Sequence, residues 1–217
     1  MAAESDFLEA VKQGDLGKVS QYLNTDPEAA NNKDENGVSA VLLALYRGHA
    51  EIAEYLAQHS ARLSFFEAAA LGKTETLAEE LQRDSSLARA YSPDGFTGLA
   101  LASFFGRPGA VALLLAKGSD PNAVSKNQMQ VTPLHSAVAH RDAERSFAIA
   151  KLLLEHNAAV NVAQQGGWTP LHQAAAHGNQ KLALLLIEHG ADTQAKSSDG
   201  RTPGDMAAQG VAIASTK

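Results

Sequence analysis

The chain contains no cysteine, no long apolar run and no surplus of positive charge, and each shortage removes a class of function. Without cysteine there is no disulfide framework, no thiolate nucleophile and no cysteine-ligated zinc. Lys plus Arg total 18 against 24 Asp plus Glu, a formal net charge of −6, so little is left to neutralise nucleic-acid phosphates. No apolar run approaches the roughly 18 residues of a membrane span. The stretch "MAAESDFLEAVKQGD" lacks the basic segment and apolar core of a secretory leader. Neither nucleic acid nor membrane is expected as a partner, and the cytoplasm is the expected compartment. What remains is 45% hydrophobic and 19% charged over 217 residues, enough to bury a sizeable core.

Self-similarity organises the rest. "TPLH" stands at Thr132–His135 and again at Thr169–His172, with weaker echoes at Ser39, Thr97 and Thr202. From Thr97 onward these positions recur at a nearly constant interval, while the gap from Ser39 to Thr97 is much longer. "FLEAVKQG" at Phe7 and "FFEAAALG" at Phe65 are separated by that same longer offset. A degenerate unit followed by a fuller one therefore occurs twice in tandem. Each unit reads as a Gly-containing turn, a Thr-Pro start with Thr as the helix cap and Pro in the first turn, a short Ala-rich helix closed by Gly, and a second amphipathic helix. No unit can bury its apolar face alone, so the core is expected to run along the stack.

"GGWTPLHQAAAHGNQKLALLLIEHGAD" resembles the ankyrin repeat almost position by position, and "VTPLHSAV" with its following helix does so only slightly less. The resemblance covers nearly the whole chain. It implies an all-α ankyrin-repeat solenoid of helix-turn-helix units with short β-hairpin loops, six to seven repeats including degenerate caps. As one domain over 1–217, the units fall near 5–33, 34–63, 64–92, 93–124, 125–163, 164–196 and a truncated 197–211. A frayed carboxyl-terminal end is expected.

His135 and His172 invite a catalytic or metal reading. The resemblance implies instead that each braces its unit by bonding backbone of the next. His156 and His189 end second helices, where imidazole complements the helix dipole. His140 and His177 lie five positions beyond the TPLH histidines, which rules out an i, i+4 ligand pair. No His-Glu-x-x-His, G-x-S-x-G or phosphate-cradling glycine loop occurs, so no enzyme activity, metal or cofactor is expected. Asn122 and Asn161 match positions hydroxylated in some eukaryotic ankyrin repeats, but their expected role is as turn residues that hydrogen-bond between repeats.

The resemblance further implies non-catalytic binding of a protein partner on the concave side, by residues preceding the TPLH box and at the ends of the first helices. Those positions hold Tyr46, Arg47, Phe96, Phe104, Phe105, His140, Trp168, His177 and Arg201. Residues preceding the box, Val38 and Val131 among them, are expected to face solvent. A finger slightly longer than in the regular unit adds Met129, and a short insertion lies around Arg141–Ser146. Large exposed aromatics suit an interface. A monomer is expected. One alternative is a module that self-associates through Trp168 and Phe96. Another is a small-ligand or enzymatic protein using histidines at the inner-helix ends, which requires a deep pocket with His140 or His177 beside a carboxylate.

Overall fold

The computed structural model describes residues 2–60 and 62–207. Helices pair along the chain, α1 (Ala2–Gln13) with α2 (Leu16–Thr25), then α3 (Ala40–Tyr46) with α4 (Ala50–His59). The pairs α5 (Phe65–Leu71) with α6 (Thr74–Arg83) and α7 (Gly98–Phe104) with α8 (Pro108–Ala116) follow. Next come α9 (Pro133–Ala139) with α10 (Ala143–Glu155) and α11 (Pro170–Ala176) with α12 (Gln180–Glu188), before the single turn α13 (Pro203–Met206). Odd-numbered helices stack on one another as an inner layer, and even-numbered helices form the outer layer.

From α3 to α11 the inner helices are each seven residues long, too short to persist in water alone. Caps and packing hold them. Ser39, Thr97 and Thr169 accept the N–H of the residue three further on, and Pro133 and Pro170 occupy the first turn, where no donor is missed. Fully buried alanines such as Ala68, Ala102, Ala137 and Ala174 let neighbouring helices approach closely. The core gathers as two clusters that meet at α5, with Phe66 packed against both.

The hairpins are short loops, as the resemblance implied. Among the described residues no strand forms, and only the bridges Lys33–Ser39 and Tyr91–Thr97 remain. Their tips bond one another instead. Lys126 N donates to Gly95 O at 2.8 Å, Gln165 N to Met129 O at 3.1 Å, and Ser198 N to Gly166 O at 2.8 Å. The expectation that residues before the box face solvent is corrected for the two valines. Val38 is 6% and Val131 5% exposed, because each closes its hairpin through its own carbonyl and packs beneath the tip. Phe96 and Trp168 are half-buried, and only Arg201 is exposed.

Two departures from the regular unit acquire a physical form. The pair α5–α6 has no finger, since α4 ends at His59 and α5 begins at Phe65. The fingers on either side therefore touch, and a methyl group on Gly37 would come within 3.2 Å of Pro93 Cβ. The short insertion becomes one extra helical turn: α10 has 13 residues against nine in α8 and α12, and Asp142 caps its new start. The expected fraying of the carboxyl terminus falls on 208–217, outside the described residues.

Candidate functional site

The inner helices present two positions to the concave side, four and seven places after the capping Ser or Thr. These positions share a helix face. At the seventh stand Tyr46, Phe104 and Ala139, and at the fourth Leu101, Ser136 and Gln173. The sequence thus sets small side chains, Ser136 and Ala139, beside the large rings of Tyr46 and Phe104. A cavity of about 380 Å³ results, closed along the finger side by Phe96, Met129 and Val131. Phe104 is 41% and Met129 53% exposed at its rim.

Tyr46 is fixed across the missing finger. Its hydroxyl donates to Asp94 Oδ2 at 2.6 Å, and its ring lies 5.5 Å from that of Phe105. Desolvation first, and then the bond to the Asp94 carboxylate, raise the pKa of this phenol. Phe105 is half-buried and packs on the amino-terminal core, edge-on to Phe104 at 5.1 Å. Of the adjacent phenylalanines, one serves the core and the other the groove.

Four predicted residues, Tyr46, Phe96, Phe104 and Met129, come together in this groove. The other six do not line it. Trp168 is half-buried above its own hairpin, close to Gly166, with its ring centroid 6.2 Å from that of His172. Arg47 and His177 are exposed at the ends of α3 and α11. Arg201 pairs with Asp199, which holds that carboxylate at about 2.

His140 is committed elsewhere. Its Nδ1–H donates to Phe104 O at 3.0 Å, and its ring lies against Gly106. The same latch recurs at two earlier junctions. His49 Nε2–H donates to Lys12 O at 3.2 Å over Gly14, and Arg107 Nε–H donates to Ala70 O at 2.9 Å over Gly72. Each acceptor lies two positions before the closing glycine, among the last helix carbonyls that lack an intrahelical donor. His49 and Arg107 are separated by the same offset as Lys12 and Ala70, and as Phe7 and Phe65, so the tandem duplication carries the latch. That offset was the available signal for it.

A second series of braces runs along the fingers. His135 Nδ1 accepts from Thr132 N at 3.3 Å, which leaves the proton on Nε2, and Nε2–H donates to Trp168 O at 3.2 Å. His172 repeats the arrangement with Thr169 N at 3.1 Å and Arg201 O at 3.1 Å. Burial depresses the pKa of His135 to about 4, so it stays neutral at physiological pH. Asn122 and Asn161 bridge units as well, each through both ends of its amide. Asn122 joins Asn157 O and Ala159 N, and Asn161 joins Gly190 O and Asp192 N.

Sequence reasoning missed Asp94, Ser136, Gln164 and Gln173 as groove residues, while Ala139 stands at one of the helix-end positions it singled out. The spacing after the cap was visible for Ser136, Ala139 and Gln173. Asp94 and Gln164 enter only through finger stacking. No group of His, Cys, Asp or Glu that could hold a metal occurs among the described residues, and no described helix is long and apolar enough to cross a membrane.

Stacked helix pairs, stitched fingers and buried TPLH braces define the ankyrin-repeat class. The family profile for ankyrin repeats (three copies) matches residues 7–125, 65–164, 99–197 and 143–212, and the chain belongs to that family. It is 31% identical over 196 residues to the ankyrin repeat protein YahD of Escherichia coli (strain K12), covering 86% of this chain and 96% of that protein. It is 30% identical over 142 residues to the tyrosine-protein kinase HTK16 of Hydra vulgaris, covering 63% of this chain but 18% of the kinase. Human protein phosphatase 1 regulatory subunit 27 is 38% identical over 73 residues, which are 34% of this chain and 45% of that protein.

Proposed function

We propose that this chain is a non-catalytic recognition module that binds a protein partner across its concave face. The groove between Tyr46, Phe96, Phe104 and Met129 carries the reading. It joins exposed apolar rings to a frame already braced by backbone hydrogen bonds. A prebraced frame loses little conformational entropy when a partner docks. Arg47, His177 and Arg201, exposed along the same side, serve as outlying contacts, and Trp168 extends the face at the carboxyl-terminal end. His140 acts from behind by holding the Phe104 backbone. The whole chain works as one stack, as a cytoplasmic monomer with no cofactor.

Capture from the native host tests this, with wild type compared against Phe104→Ala combined with Met129→Ala. Both side chains are largely exposed, so the double variant keeps its fold by circular dichroism. The reading expects the captured proteins to disappear from the variant while a Leu184→Ala control retains them. Equal recovery by the folded double variant overturns it.

A further inference from the structure

The groove is apolar along its walls and unbalanced in its polar groups. Asp94 bonds two neutral hydroxyls, Tyr46 Oη at 2.6 Å and Ser92 Oγ at 2.5 Å, and forms no ion pair among the described residues. Among the described residues no Lys or Arg lines the cavity. Gln173 Oε1, from α11, is buried with no hydrogen-bond partner among the described residues. The imidazole of His135, which also lines the space, is held neutral by burial and supplies no positive charge.

A buried acceptor left without a donor is destabilising, and native structures rarely tolerate one without a reason. Here a lone carboxylate and an unpaired amide oxygen border one apolar space. An occupant complements that arrangement if it has a flat apolar body, a hydrogen-bond donor on the body and a positive charge beside it. An aromatic side chain suits the body, since the cavity measures about 380 Å³ and Ser136 and Ala139 leave its floor open. An acidic or purely aliphatic occupant would leave the carboxylate repelled or Gln173 unpaired.

We propose that this cavity anchors one aromatic side chain of the partner, a Trp or Tyr whose N–H or O–H donates to Gln173 Oε1, next to a Lys or Arg that faces Asp94. The proposal rests on the recognition reading and names the chemistry of what is recognised.

The test titrates the full chain, isotopically labelled for NMR, with acetyl-Lys-Trp-Lys-amide. Saturable shifts are expected at the amides of Leu101, Phe104, Met129 and Gln173. Acetyl-Glu-Trp-Glu-amide should bind about tenfold more weakly, a difference of about 1.4 kcal/mol, and acetyl-Lys-Ala-Lys-amide should give no saturable shift. Asp94→Asn should erase the preference for the basic peptide. Ala139→Phe, which fills the cavity and leaves the Asp94 carboxylate in the chain, should abolish binding, and it decides the matter if Asp94→Asn disturbs the finger. Equal affinity for basic and acidic peptides, unchanged binding by folded Ala139→Phe, or no saturation with the basic peptide overturns the proposal. If the peptide fails while Phe104→Ala with Met129→Ala still loses its captured proteins, the assigned chemistry falls and the groove reading stands. If the peptide binds and the captured proteins are unchanged, the reverse holds.

Discussion

The imidazole of His140 lies so close over Gly106 that a methyl group on that glycine would collide with Nε2. The ring also donates to the carbonyl of Phe104, whose side chain forms the rim of the groove. Stack and groove are therefore joined at one contact. A side chain that suggests acid–base chemistry by its type is used here to set the register between adjacent units.

Gly106→Ala should cost about 2–4 kcal/mol, since it combines a left-handed backbone at φ +67 with displacement of the His140 ring. Gly48→Ala supplies the control. Its φ is +81 but no described atom lies within 4 Å of the added methyl, so only the left-handed backbone cost of about 1–2 kcal/mol applies. Urea unfolding of both variants measures the difference.

How much of this was legible in the sequence depends on whether the controlling contacts lie within one unit. The caps at Thr97 and Thr169 and the brace histidines follow from local motifs, and the structure has them where the TPLH pattern implied. Burial of Val38 and Val131 was not legible, because it arises from each finger closing on its own backbone, through Asp34 and Ser125, and not from any apolar spacing. The role of His140 depended on Gly106, a full repeat earlier in the chain, which no window of helical period connects. Trp168 stands out by composition, yet the groove forms where Ala139 and Ser136 are small. A cavity is written in the sequence by its small residues as much as by its large ones.

His135 gives stability a pH dependence with a defined sign. Its pKa falls from the ordinary 6.5 to about 4 on folding, so the unfolded chain binds the proton first as pH drops. Its contribution is fully present above pH 6.5 and declines as pH falls toward 4, by a total on the order of 3 kcal/mol. Denaturant unfolding at stepped pH should show a steeper decline over that window for wild type than for His135→Gln.

Asn122→Ala removes both bonds that tie one unit to the next at Asn157 and Ala159. The site is exposed, so the expected cost is about 1–2 kcal/mol. Hydrogen exchange should register it locally, with faster exchange at the Ala159 amide and little change at buried amides near Ala68. Uniform acceleration throughout the chain would contradict that local assignment.

The central claim is that a protein partner docks on the groove side and not on the outer helices. Its most direct test places a photoreactive phenylalanine analogue at Phe104 in one sample and at Leu184, exposed on α12, in another. Both are irradiated in extract of the native host. The account predicts a discrete protein adduct from position 104 that Ala139→Phe suppresses, and none from position 184. Adducts from 184 alone, or the same adducts from both positions, would contradict it.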